Sequence, residues 1–271
     1  MNHISTEQKI YQTLRIAVAM CFIGHGAFGI ITKPIWCNYF GVVGIGHDLA
    51  YKLMPIVGSI DILFGIIMLV YPIRAIALWL VIWGIATATM RPLSGEPFAE
   101  LIERAGNFGA PFVLLLLTGG FNTNIFAKIN PVDHVDEKTL TRIIFSLQII
   151  VFLLLAGHGW LNLLEKKGLI QQYASLGFSN PQHTATAIGI LEIIAAFTIF
   201  IKPLRLMVFV LLFWKIASEF FYPHWELFEW IERGGSYGCI LALWFAIGSV
   251  PYRNWVNNFF SHKNTMQNTA Q

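Results

Sequence analysis

Charged side chains are scarce in this sequence. They make up 12% of its 271 residues, against 56% for hydrophobic residues, whereas an ordinary soluble domain carries about 25% charged residues. A water-soluble core could not bury so much apolar surface, so the composition predicts that a lipid bilayer surrounds much of the chain. The formal net charge of +3 is too small to indicate nucleic acid as a partner.

Reactive motifs are also missing. The three cysteines, Cys21, Cys37 and Cys239, form no C-x-x-C pair and no metal-ligand spacing, so we interpret them as small apolar residues. The sequence has no nucleophile elbow and no phosphate-binding loop. A G-x-G-x-x-G pattern at 24–29 lies inside an apolar run, without the preceding strand that dinucleotide binding requires. These absences argue against a self-contained enzyme and against a metal site.

Long apolar runs, by contrast, are abundant. Eight runs have roughly 18–22 residues each, which is long enough to cross a bilayer as a helix. They fall at about 13–33, 53–71, 73–90, 108–127, 142–164, 184–201, 204–222 and 236–251. No cleavable signal peptide is evident before the first run, which we interpret as a retained membrane helix. The pattern predicts an all-α polytopic membrane protein with eight transmembrane helices, none of them clearly broken.

The two halves of the chain resemble each other. Three segments of the first half recur in the same order in the second half, and the pairs are 24–26 with 157–159, 58–74 with 189–205, and 100–104 with 229–233. Such self-similarity indicates an internal duplication. Because each copy would contain four spans, both copies enter the membrane from the same side. The sequence therefore predicts two parallel four-helix repeats, related by an axis along the membrane normal.

The repeats define the predicted domains. We expect a first membrane repeat over residues 1–122, a cytoplasmic linker over 123–141, a second repeat over 142–251 and a polar tail over 252–271. Lys and Arg are slightly more frequent on the side that holds both termini. Because basic residues favour the cytoplasmic side, we expect both termini in the cytoplasm and the protein in the cytoplasmic (inner) membrane.

Six ionisable residues lie within the apolar runs. They are His25, Asp61, His158, Glu192, Lys215 and Glu219. A charge at the bilayer centre costs about 2.5–3.5 kcal/mol on insertion scales, so such residues are candidates for binding a ligand or a proton. A helical rise of about 1.5 Å per residue places the two His–carboxylate sets at similar depths, roughly 9–12 Å below the non-cytoplasmic surface.

These residues have a second interpretation, which is purely structural. A His–carboxylate hydrogen bond can hold two helices together, and the adjacent glycines allow helices to approach closely. Lys215 and Glu219, four residues apart, can neutralise each other on one helix face. The first half has Gly84 and Ala88 at the corresponding positions. If one half is functional, its larger number of polar groups favours the second.

A further set of candidates lies in the outer loops. The paired segments at 100–104 and 229–233 end in Glu103-Arg104 and Glu232-Arg233. These residues can cap the following helix and form salt bridges across the repeat axis. Alternatively, they can bind an anion or a quinone headgroup at the mouth of a polar cavity. The sequence leaves both interpretations open.

The arrangement of these motifs resembles DoxX/DoxD-like integral membrane proteins. The resemblance is carried by the Gly-His-Gly segments and by GSIDILFGIIMLVYPIR and GILEIIAAFTIFIKPLR, which read G-x-x-(D/E) and end in P-x-R. It covers about the first three spans of each half. It implies two four-helix units fused in tandem, where family members usually have one. It also implies a membrane subunit of a redox system such as thiosulfate:quinone oxidoreductase, with quinone as a possible cofactor.

Three functions follow as hypotheses. The first is a quinone-linked redox subunit in which His158, Glu192 and Lys215 bind the quinone and the acidic outer loops dock a partner redox protein or membrane subunit. The second is a transporter for a small solute or protons, a class that also uses parallel repeats and intramembrane carboxylates. The third is a non-catalytic assembly subunit of a membrane complex.

Overall fold

The structure is a computed structural model that describes residues 4–120, 124–222 and 226–248. These residues form twelve α-helices and no β-strand, which confirms the all-α class. The predicted tail at 252–271 lies outside the described residues. The first six helices are α1 (Thr6–Ile30), α2 (Trp36–Val42), α3 (His47–Val70), α4 (Arg74–Leu93), α5 (Ala99–Glu103) and α6 (Ala105–Leu117). The next six are α7 (Glu137–Leu163), α8 (Lys167–Ser175), α9 (Pro181–Ile201), α10 (Arg205–Phe220), α11 (Leu227–Glu232) and α12 (Gly234–Ile247).

Five helices in the described part of the chain are long and apolar enough to cross a membrane. They are α1, α3, α4, α7 and α9, with 20 to 27 residues each, and a 20-residue helix spans about 30 Å, the thickness of the hydrocarbon core. The structure thus supports an integral membrane protein. The predicted spans at 108–127, 204–222 and 236–251 correspond to the shorter helices α6, α10 and α12, of 13, 16 and 14 residues.

Local sequence explains where the helices start. Ser5 and Gln8 form a capping box at the first turn of α1, and Asp136 accepts a hydrogen bond from the backbone N–H of Thr139 at the start of α7. Such caps satisfy backbone donors that have no partner within the helix. α6 ends at Leu117, earlier than hydropathy predicts, because Gly119 and Gly120 adopt positive φ angles of 102° and 65° that favour glycine.

The two helices that carry the Gly-His-Gly segments are the most buried of the long helices. Within the described residues, 61% of the apolar window of α1 and 50% of that of α7 are buried, against 22–33% for α3, α4 and α9. The less buried helices present large aliphatic side chains outwards, for example Leu63, Ile82 and Leu191. Lipid is the solvent that accepts such a surface. α1 and α7 therefore form the centre of the protein.

Two short helices break the continuity of the chain next to this centre. Arg104 separates α5 from α6, and Arg233 separates α11 from α12, each with ψ close to 0°. Both changes of direction lie before the predicted spans at 108–127 and 236–251, in the segments that we assign to the outer loops. The sequence does not reveal the short helices, because the polar segments before α6 and α12 resemble ordinary loops. α5 packs against α7, and α11 packs against α1.

Candidate functional site

The second glycine of each Gly-His-Gly segment contacts the next long helix of its own half. A β-carbon on Gly26 would lie 2.5 Å from the carbonyl oxygen of Gly58, and one on Gly159 would lie 2.8 Å from that of Gly189. Neither position can hold a larger residue without moving a backbone. The glycines therefore bring α1 against α3, and α7 against α9, at the level of the two histidines.

The first glycine of each segment contacts a short helix from the opposite half. A β-carbon on Gly24 would lie 2.6 Å from the Cα of Glu232 in α11, and one on Gly157 would lie 2.7 Å from the Cα of Glu103 in α5. Each histidine thus stands between a contact within its own half and a contact with the other half. This arrangement places the acidic ends of α5 and α11 beside the histidines.

The first histidine belongs to a trio of side chains from three helices. The Nδ1–H of His25 donates to Oδ2 of Asp61, with 2.8 Å between nitrogen and oxygen. Trp83 donates to the same oxygen from its indole nitrogen at 3.4 Å. The ring of Trp36 lies against the imidazole, with 4.6 Å between the ring centroids. The carboxylate fixes the orientation of the imidazole, as a carboxylate partner commonly does.

The second histidine has an equivalent trio. The Nδ1–H of His158 donates to Oε2 of Glu192 at 2.6 Å, and the indole of Trp214 donates to Oε1 at 3.0 Å. Here the network extends further, because Asn162 donates to Glu192 at 3.3 Å and accepts from the hydroxyl of Tyr173 at 2.7 Å. The structure therefore brings together both predicted His–carboxylate pairs.

Lys215 and Glu219 form the ion pair that their spacing predicts. The Lys215 side chain is completely buried, and Glu219 is 3% exposed. Glu219 also faces Arg233, whose Nε lies 3.7 Å from Oε2. The charges of the second half are thus buried as ion pairs with one another.

The predicted outer-loop residues form a buried ionic network. Arg233 pairs with Glu103 and so links the two halves of the chain. Arg104 pairs with Glu103 at 2.9 Å and with Glu100 at 2.7 Å. The structural interpretation of Glu103, Arg104 and Arg233 as salt-bridging residues thus accounts for their contacts. Glu232, the fourth predicted residue, has a different environment.

A cavity of about 520 Å³ opens beside His25, in the first half of the chain. Its apolar wall is formed mainly by aromatic side chains, which are Phe28, Trp36, Tyr39, Phe40 and Trp83. Gly84 also lines it, at the position that corresponds to Lys215. The sequence favours the second half as the functional one because that half has more polar groups. The cavity favours the first half instead, because small residues leave space there.

Ion pairs surround the entrance of the cavity. Lys33 pairs with Glu229. Arg91 pairs with Glu96 at 3.0 Å, and Tyr39 donates its hydroxyl to Glu96 at 2.5 Å. Burial, opposed by Arg91 and aided by the hydrogen bond to Glu96, raises the pKa of the Tyr39 phenol well above its ordinary value, so the hydroxyl keeps its proton. The charges at the entrance therefore already have partners.

Two polar groups that line the cavity have no hydrogen-bonding partner among the described residues. The side-chain oxygen of Asn107 has none among the described residues, although Asn107 is only 9% exposed. Glu232 is 4% exposed and lines the cavity. The positive charges of Arg104 and Arg233 act on it, but within the described residues no ion pair or hydrogen bond reaches its carboxylate. Buried polar groups without partners are rare and call for an explanation.

Some of these site residues are not among the sequence candidates. The tryptophans Trp83 and Trp214 could have been found, since they occupy matching positions after the two carboxylates. Trp36 and Tyr39 could not, because the short helix α2 carries no recognisable motif. Within the three described ranges, no group of three His, Cys, Asp or Glu residues could hold a metal ion. No family model, no curated protein and no solved structure matches this chain.

Proposed function

We propose that the protein is a DoxX-like membrane subunit of a quinone-linked redox system, and that the cavity beside His25 binds the quinone headgroup. The same proposal includes eight membrane spans in two parallel repeats, in the cytoplasmic membrane with both termini in the cytoplasm. The matched contacts of the two Gly-His-Gly segments support the repeats. A partner redox protein or membrane subunit would exchange electrons with the bound quinone.

The cavity is the observation that carries this proposal. Ligand sites are typically clefts of about 300–1,000 Å³ with largely apolar walls and a few polar groups, and this cavity has a volume of about 520 Å³. A quinone headgroup is a flat ring with an oxygen at each end. The indoles of Trp36 and Trp83 and the ring of Phe28 offer surfaces on which such a ring stacks.

His25 supplies the polar contact that a quinone oxygen needs. Its Nδ1 is engaged by Asp61, so its Nε2 is the ring nitrogen available to a ligand, and no described residue hydrogen-bonds to it. An imidazole held by a carboxylate can donate a hydrogen bond or exchange a proton with the ligand. The His25–Asp61 pair therefore orients the headgroup and provides a place for a proton.

The test fills the cavity without touching the polar trio. Thr87 lines the cavity, whereas Ile85, two residues earlier on the same helix, is 47% exposed on the outer surface. We expect Thr87→Trp to weaken binding of a short-chain quinone at least about tenfold, which corresponds to a loss of about 1.4 kcal/mol. The matched control Ile85→Trp should bind like the wild type. Equilibrium dialysis in mild detergent, together with mass spectrometry of extracted quinones, measures both.

Two results would refute the proposal. One is a wild-type protein that contains no quinone after mild purification and does not bind the added quinone saturably. The other is a Thr87→Trp variant that folds normally and binds as tightly as the wild type. Thermal unfolding in the same detergent establishes that the variants are folded.

Transport is a second candidate function, and the helix breaks at Arg104 and Arg233 favour it. Discontinuous helices often form the substrate sites of transporters near the membrane centre. Proteoliposomes that contain the purified protein and an internal pH-sensitive dye distinguish the two functions. A proton flux that depends on the protein would support transport, and vesicles that remain tight would count against it.

A further inference from the structure

We infer that the cavity prefers the reduced, dihydroxy form of its ligand, a hydroquinone, over the quinone, and that Glu232 is the residue that selects it. This inference rests on the proposed function. It concerns the oxidation state of the ligand, which the size and the aromatic wall of the cavity do not determine.

The first step is the contrast between Glu232 and its counterpart Glu103. The two residues occupy matching positions at the ends of α11 and α5. Glu103 pairs with Arg104 at 2.9 Å and also with Arg233. Glu232 lines the cavity, and no described residue pairs with it. The duplicated chain thus has one carboxylate that the protein itself satisfies and one that faces open space.

The second step is the cost of leaving such a group without a partner. An ionised carboxylate only accepts hydrogen bonds, and a ligand that covers this one in the cavity without offering a donor leaves it unpaired, which costs free energy. A ligand that brings a hydroxyl group to Glu232 avoids this cost. A quinone carbonyl cannot, because it is also only an acceptor and would place its lone pairs against those of the carboxylate.

The third step concerns the donors that the protein already has. Arg104 and Arg233, whose charges act on Glu232, pair with Glu103 instead. Other donors on the cavity wall are engaged as well. Tyr39 donates to Glu96, and the hydroxyl of Thr87 donates to the backbone carbonyl of Trp83 at 3.0 Å. Lys33 is paired with Glu229. The unmet demand beside Glu232 is therefore for a donor that the ligand must supply.

The fourth step is that His25 can form a hydrogen bond with a hydroquinone in either of its protonation states. The free Nε2 of His25 accepts a hydrogen bond when the ring is neutral and donates one when the ring is protonated. A hydroquinone hydroxyl can do both, so it fits either state of the ring. Gly24, next to His25, is the residue on which Glu232 docks. The two polar groups thus lie on neighbouring parts of the same wall.

The experiment compares the two oxidation states of one probe. We would measure the dissociation constants of duroquinol and duroquinone without oxygen, by calorimetry on the full chain in detergent. A hydrogen bond to a charged group is stronger than one between neutral groups, so we expect the wild type to bind duroquinol at least about tenfold more tightly. Glu232→Gln should lose most of this preference, because an amide can donate as well as accept.

Glu96→Gln is the matched control, since Glu96 also lines the cavity but is already engaged by Arg91 and Tyr39. It should keep the preference for duroquinol. Equal affinities in the wild type, or tighter binding of duroquinone, would overturn the inference and leave the proposed function intact. So would an unchanged preference in Glu232→Gln. If the wild type binds neither compound, the proposed function itself fails. If Glu232→Gln does not fold, the ratio of the two dissociation constants of the wild type alone tests the inference.

Discussion

The sites around His25 and His158 share one design and differ in their use of space. Both have a histidine, a carboxylate and a tryptophan from three helices. The residue after the tryptophan is Gly84 in the first site and Lys215 in the second. Gly84 lines a cavity, whereas Lys215 is fully buried in an ion pair with Glu219. The two sites thus differ at this position by a small residue that lines open space and a long side chain that is held in an ion pair.

The comparison also shows that buried polar residues do not by themselves mark open space. A buried ion pair must offset the desolvation of both charges, so it is weak evidence for added stability. The ion pair does fix the position of the side chains. Glu219 also faces Arg233, and Arg233 pairs with Glu103 of the other half. The richer polar cluster is therefore the one that connects the two halves of the chain.

The largest expected effect comes from breaking the ion pair that fills the second site. Glu219→Ala leaves Lys215 buried without its partner, and loss of one member of a buried pair costs about 3–5 kcal/mol. The double variant Lys215→Gly/Glu219→Ala copies the first site and leaves no unpaired lysine, so it should be less destabilised than the single variant. Urea unfolding in detergent micelles measures both. The explanation fails if the double variant is as unstable as the single one or less stable.

A smaller effect is expected from the glycines that receive the short helices. Gly24→Ala and Gly157→Ala each force a methyl group against a backbone, and overpacking of this kind typically costs about 1–3 kcal/mol. Both should lower the unfolding temperature, but only Gly24→Ala should also weaken ligand binding, since it displaces the cavity residue Glu232. Gly41→Ala is the control, because no atom lies within 4 Å of its added methyl group. Equal effects on binding at both sites would remove the functional distinction between them.

The smallest effect concerns the two tryptophans. Trp214→Phe and Trp83→Phe each remove an indole hydrogen bond to a carboxylate, worth about 0.5–1.5 kcal/mol, or more where the acceptor is charged. Trp214 should matter more for stability, because its bond is 3.0 Å long whereas that of Trp83 is 3.4 Å. Trp83 should matter more for ligand binding, because it lines the cavity. Thermal unfolding and probe binding are measured on both variants. A larger loss of stability in Trp83→Phe, or a larger loss of binding in Trp214→Phe, would contradict the prediction.

The sequence predicts the polar contacts better than it predicts the empty space. The pairing of His25 with Asp61 follows from residues at similar depth on spans that glycines bring together, and the structure has that pair. The location of the cavity cannot be predicted from the sequence. Gly84 has no reactive side chain, and it lines a cavity only because the neighbouring side chains leave space beside it. The separation of α5 from α6 at Arg104 cannot be predicted from hydropathy either. Hydropathy averages over a window and cannot resolve a change of direction at one residue.

The packing of α11 onto α1 has a consequence for how the protein is made. α1 ends at Ile30, and α11 begins only at Leu227, so α1 leaves the ribosome long before the helix that packs on it. At roughly 5–20 residues per second, the wait lasts on the order of ten seconds or more. During this time the face of α1 around Gly24 lacks its partner. A chain that ends before α11 would therefore expose the glycine face of α1.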